Sequence, residues 1–180
     1  FVTFRYTRLR MKKICLPFLS LLLFLSAAGQ KSLPPAGQVT YEELKMKSCS
    51  FDPDAPAMKL FEEEEVSFEL YTNGDMQLKT EHRTRIKIFN ENGYEHANIN
   101  IPYLTKKSLG KIKELTAYVY TLDQNDRIVV QKLGKDDFFK QTVVGKLGLI
   151  KFSFPNLKRG SVIEYSYTRM EQNFFDIDPW

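Results

Sequence analysis

From Val66 onward, apolar and polar side chains swap at nearly every step. Val66, Phe68 and Leu70 alternate with Ser67, Glu69 and Tyr71, and Thr84, Ile86 and Ile88 alternate with Arg83, Arg85 and Lys87. The same rhythm runs through Ala97–Tyr103, Leu115–Tyr120, Ile150–Phe154 and Val162–Tyr167. A period of two places successive side chains on opposite faces of an extended chain. A slip of one residue would move each apolar set into water, so each strand has a defined inner face. One dry face and one wet face mark antiparallel sheets, because buried parallel strands read as continuous apolar runs.

The breaks between these runs carry turn chemistry. Thr72-Asn73-Gly74-Asp75 and Glu91-Asn92-Gly93 offer Asn-Gly pairs, which accept positive φ at little cost. Asp123-Gln124-Asn125-Asp126 is a polar loop ahead of Ile128-Val129-Val130, and Asn156–Gly160 separates the last two runs. Ahead of the strands, Thr40-Tyr41-Glu42-Glu43 has the form of a capping box, which predicts a short helix over Tyr41–Lys47. Pro53 and Pro56 end it. Short strands joined by such turns predict an all-β fold, an antiparallel β-sandwich with one short N-terminal helix.

Composition sharpens this picture at the N-terminus. The chain has 180 residues, 43% of them hydrophobic, enough to build a core. Its formal charge of +4 sits in the leader. Residues 1–29 hold Arg5, Arg8, Arg10, Lys12 and Lys13 and no acid; without them 21 cations face 22 acids. The body therefore gives no electrostatic reason for nucleic acid or anionic lipid as a partner. Met11-Lys12-Lys13, the apolar stretch Leu16–Leu25 and the small exit Ala27-Ala28-Gly29 form a signal-peptide pattern, with Gln30 as the expected new N-terminus. The apolar run is shorter than the about 20 residues a bilayer crossing requires. The expected organisation is 1–10 as translation upstream of the true start and 11–29 as signal peptide. Residues 30–50 follow as linker and short helix, and 51–180 as a sandwich domain cut at its C-terminal end. The expected location is outside the cytoplasm, periplasmic or extracellular.

Candidate chemistry is sparse. Cys15 leaves with the leader, so Cys49 is the mature chain's lone thiol, expected to be packed. His82 and His96 are the two histidines, too few for a zinc site, and His82 falls on what reads as a wet strand. A Cys49–histidine–aspartate nucleophile system is possible by composition, but no spacing favours it. Glu62-Glu63-Glu64-Glu65 reads as a solvated turn, and Asp52-Pro53-Asp54 and Asp176-Ile177-Asp178 lack the rest of a calcium loop. No catalytic, metal or cofactor residue is assigned. The one candidate binding surface is a sheet face carrying Arg83 and Arg85, with Lys87 on the same face and with Tyr118 and Tyr120 also sharing a face. Such residues could receive a peptide or glycan, but the body's net charge favours a solvated face with cross-strand carboxylate partners, and tyrosine pairs more often line the inter-sheet core.

Three blocks carry a resemblance. They are Arg83–Glu95 (RTRIKIFNENGYE), Leu115–Tyr120 (LTAYVY) and Phe152–Tyr167 (FSFPNLKRGSVIEYSY). In this order they resemble a bacterial family of exported domains of unknown function that directly precede transglutaminase-like domains, over about Tyr41–Trp180. The resemblance implies an extracytoplasmic β-sandwich and a catalytic partner in cis beyond Trp180. It carries no triad residue onto this chain. The expected function is a non-catalytic accessory module that positions or shields that domain; the alternative is an independent peptide- or glycan-binding module of the envelope.

Overall fold

The computed structural model describes residues 33–70, 76–105, 110–145 and 147–171. The leader, Thr72–Asp75 and Asp176–Trp180 lie outside the described residues. Every element below belongs to one unit, Ala36–Trp180. The chain runs α1 (Tyr41–Lys45), β1 (Ala57–Leu70), β2 (Met76–Ile88), a 3-10 turn (Glu91–Ala97), β3 (Asn98–Leu104) and β4 (Gly110–Leu122). It continues through β5 (Ile128–Lys132), a second 3-10 turn (Lys135–Asp137), β6 (Phe139–Val144), β7 (Leu147–Ser153) and β8 (Val162–Glu171). Two antiparallel sheets result, one of five strands in the order β1-β2-β8-β4-β5 and one of three in the order β3-β7-β6. The antiparallel all-β sandwich is as expected, and among the described residues α1 is the one α-helix.

The alternation explains the packing. On the five-stranded sheet, Ile88, Ala117, Val119, Ile163 and Tyr167 face the three-stranded sheet's Ile101, Ile150 and Phe152, forming one buried cluster. Phe152 sits at its centre, in edge-on contact with Phe138 at 5.0 Å, Phe154 at 5.6 Å and Tyr165 at 5.8 Å between ring centroids. Such pairs add about 0.5–1.5 kcal/mol beyond the area they bury. Pro102 is tolerated because β3 is an edge strand, where a missing N–H costs no ladder bond.

Four expectations are corrected. The acidic run Glu62–Glu65 is not a turn; it lies mid-way along β1, a single strand of 14 residues. The apolar set Val66, Phe68 and Leu70 does not face the core: it lies on edge strand β1, where these residues are 40%, 63% and 75% exposed. Glu91-Asn92-Gly93 is not a positive-φ turn but opens a 3-10 turn, with the Asn90 side chain accepting from the Asn92 N–H. The face carrying Arg83, Arg85 and Lys87 is not a solvated one. It is covered by α1, which follows the predicted capping box but ends at Lys45.

Candidate functional site: a buried charge cluster beneath the N-terminal helix

The outward positions of three neighbouring strands converge under α1. Strand β2 sends out Arg83, Arg85 and Lys87, β8 sends out Glu164 directly across from Arg85, and β4 sends out Tyr118 and Tyr120. Arg85, Lys87, Tyr120 and Glu164 are at most 1% exposed. Charges this deep require partners, since an isolated buried ion is costly by several kcal/mol.

Glu164 is the hub. Its Oε2 accepts from Arg85 Nε at 2.8 Å, from Arg85 Nη2, and from the Tyr120 hydroxyl at 3.2 Å. Its Oε1 accepts from Arg83 Nε at 2.9 Å, and Arg83 Nη2 stands 2.8 Å away. The other side of Arg85 holds the N-terminal segment. Nη1 donates to both carboxylate oxygens of Glu43 at 2.9 Å, and Nη2 to the Gln38 carbonyl. Lys87 Nζ donates to the carbonyls of Leu44 and Gly160, each at 2.6 Å. The guanidinium of Arg85 also lies over the rings of Phe61 at 5.1 Å and Tyr120 at 5.6 Å, a geometry the ring quadrupole favours.

Around these polar links Leu44 packs with Tyr120 and Val162, joined by Val39, Leu60, Tyr118, Leu122 and Ile128. Outside the cluster, Tyr41 donates to the Asp126 carbonyl and Lys45 pairs with the Asp126 carboxylate at 3.0 Å. A five-residue helix has no stability of its own. It is held because Lys87 donates to its Leu44 carbonyl, Arg85 grips its Glu43 carboxylate, and its one buried leucine completes an apolar patch.

The environment shifts the titrating groups. Burial works against the charge on Arg85, but the hydrogen bonds it donates to Glu164 and Glu43 outweigh it and hold its pKa above the ordinary value. Burial brings Lys87 down to about 8 against the opposing pull of Glu43. Burial, with the Glu164 charge adding to it, holds the Tyr120 hydroxyl well above the usual range.

Of the four residues read as a candidate surface, Arg83, Arg85, Tyr118 and Tyr120 do share one sheet face. Arg85 and Tyr120 are sealed within it, while Tyr118 is half-buried with Lys132 over its ring at 5.5 Å. Sequence reading placed Lys87 beside Arg83 and Arg85 but missed Glu43 and Glu164 as members. A signal existed for the last: Glu164 is the one charge within Val162-Ile163-Glu164-Tyr165, a segment otherwise apolar or aromatic.

Beyond the helix the face opens into a groove of about 320 Å³ lined by Glu63, Glu65, Glu81, Arg83, Glu114 and Thr168. His82 is buried on the opposite face, stacked on Tyr167 at 4.9 Å and Tyr165 at 5.7 Å between ring centroids, with Glu62 3.9 Å from its Nε2. It is not on a wet surface as expected. His96 is half-exposed beside Glu95, and Cys49 is a buried free thiol. Among the described residues, no group of three or more histidine, cysteine or acidic side chains is arranged to hold a metal ion.

Residues 74–179 match a family model described as a Domain of Unknown Function with a solved structure, DUF3857. The chain belongs to the DUF3857 family. The match takes in Arg83, Arg85, Lys87, Tyr118, Tyr120 and Glu164 and begins after β1, so Glu43 and the helix that covers the cluster precede it. No curated protein matches the chain. Among solved structures it resembles a "putative protease" from Parabacteroides distasonis ATCC 8503, with a TM-score of 0.47 and 14% identity. That match covers 64% of this chain but 23% of the other, and it is too distant to carry an argument.

Proposed function

We propose that this DUF3857 domain is a non-catalytic, extracytoplasmic accessory module that positions or shields a transglutaminase-like domain in the same polypeptide. The observation that carries this reading is the fate of the charged cluster. Its two carboxylates and its cations are held in mutual contacts that fasten the N-terminal helix to the sheet, and its hub is sealed from solvent. A carboxylate whose oxygens are already taken by two arginines and a tyrosine is poorly placed for proton transfer to or from a substrate. The cluster makes a rigid face, which suits a spacer. The export pattern at residues 11–29 supports the extracytoplasmic location, and the three blocks resembling domains that precede transglutaminase-like partners support the neighbour.

The test starts from the coding sequence beyond Trp180 and the parent protein it encodes. Amide transfer and peptide hydrolysis are measured for the parent, for the parent without residues 36–171, and for the present chain alone. The expected result is no turnover by the present chain and a lower melting temperature or altered turnover in the truncated parent. Turnover by the present chain, or a reading frame with no catalytic domain, overturns the proposal.

A further inference from the structure

The three-stranded sheet ends at β6, and the two sheets part beside it. All six β6 residues are exposed, Phe139 at 65% and Val144 at 75%. On its far side from β7 the strand has no strand partner among the described residues. Unpaired edges invite strand addition unless they are blunted by charge, proline or shortness. Edge strand β1 carries Glu62–Glu65, edge strand β3 carries Pro102, and edge strand β5, also without proline and with one charge, is five residues long with no apolar cleft beside it among those described. Strand β6 (FKQTVV) has no proline and a single charge.

Next to this edge lies a cleft of about 230 Å³ whose floor is Ile112, Leu115, Phe138 and Ile150, continuous with the main core. Its rim carries Lys113, Lys135 and Lys140 from three different elements. Glu114 is the acid of this lining, and its carboxylate accepts from Thr168 at 3.0 Å. The register sets Lys140 across from Ile150 and Thr142 across from Gly148, so the inward positions of β6 share the face that holds the cleft floor. A strand laid along β6 would place alternate side chains over that floor, about 6.6 Å apart.

We propose that the β6 edge and its cleft bind an extended peptide that presents acid, apolar and acid at alternate positions on one face. The main chain adds a fourth strand to the sheet, the central apolar side chain fills the cleft, and the flanking carboxylates meet the rim lysines. Strand addition of this kind takes affinity from the main chain and specificity from alternate side chains. The peptide is favoured over a second copy of this chain because self-pairing of β6 would add cations to a rim that already carries three. The inference does not depend on a transglutaminase-like neighbour.

The probe is a fluorescein-labelled heptapeptide, Thr-Glu-Thr-Leu-Thr-Glu-Thr, titrated by anisotropy into the full chain. Saturable binding is expected, weakened about tenfold in the Lys113→Glu, Lys140→Glu double variant and by added salt. A peptide with lysine in place of glutamate should bind the wild type more weakly and the charge-reversed variant more tightly. Methylating alternate peptide amides should abolish binding, a loss that a purely electrostatic encounter would not show. These surface variants leave the core intact, and an unchanged circular dichroism melt verifies it. No saturable binding, equal binding of both peptides, indifference to N-methylation, or a stable dimer formed through β6 would each overturn the proposal.

Discussion

Glu164 sits where two arginines, a tyrosine hydroxyl and a strand backbone meet, and it is 1% exposed. A buried ion pair contributes little net stability, because desolvation offsets attraction, but breaking one is costly. Glu164→Gln should therefore lower the urea unfolding free energy by about 3–5 kcal/mol, since it strands Arg85 with half its partners. Adding Arg85→Met should return most of that loss. Glu43 is 18% exposed and Arg83 17%, so each can turn to water once Arg85 is gone. If the double variant is less stable than Glu164→Gln alone, the cluster is a cooperative network in which every member is needed, and the pairwise account fails. This residue also marks the limit of what alternation reveals. A period of two assigned Arg85, Lys87 and Glu164 to the face away from the core, which is correct. It could not show that a segment some 40 positions earlier in the chain closes over that face, because the pattern of a strand reads the same whether its polar side meets water or a partner carboxylate.

The elements that read clearly are those with one apolar face throughout. Strands β2, β3, β7 and β8 were legible because each lays its alternate residues on the shared core. Strand β1 was legible only over Val66–Leu70, because four successive glutamates interrupt its rhythm. They are accommodated by sending Glu63 beside Arg83 and Glu62 toward His82 on opposite faces. The 3-10 turn at Glu91–Ala97 was misread for a different reason. Gly93 is needed for space, not for φ. A Cβ there would stand 2.4 Å from the Pro56 carbonyl oxygen, which is fixed by accepting from the N–H groups of Phe89 at 2.9 Å and Asn90 at 3.3 Å. The two accounts make different predictions. At a positive-φ turn, asparagine replaces glycine at small cost. Here both Gly93→Ala and Gly93→Asn should destabilise by about 1–3 kcal/mol, the cost of overpacking. Thermal melts of the pair decide it, and a well-tolerated asparagine would restore the turn reading.

For the molecule as a whole, the buried Lys87 and the buried tyrosines set opposing alkaline trends. Lys87 titrates near 8 in the fold and at its ordinary 10.5 when unfolded. Between those values the unfolded chain binds more protons than the folded one, so unfolding free energy must rise with pH across that window. The gain is bounded at about 3 kcal/mol by the size of the shift. Tyr165, pushed up to about 12 chiefly by burial, and Tyr120, also raised, act in the other direction. Their unfolded counterparts lose protons near 10, which stabilises the unfolded chain as pH climbs past that point. Stability should therefore climb from pH 8 toward 10 and then fall. Lys87→Met removes the titrating group and keeps most of the stem, although the Leu44 and Gly160 carbonyls lose their donor. It should flatten the rising limb while leaving the fall above pH 10 in place. Urea unfolding in steps from pH 7 to 11 gives both limbs. A wild-type curve flat between 8 and 10 would mean that the two carbonyl contacts hold Lys87 charged through that range. The helix over the cluster would then be fastened by a full positive charge.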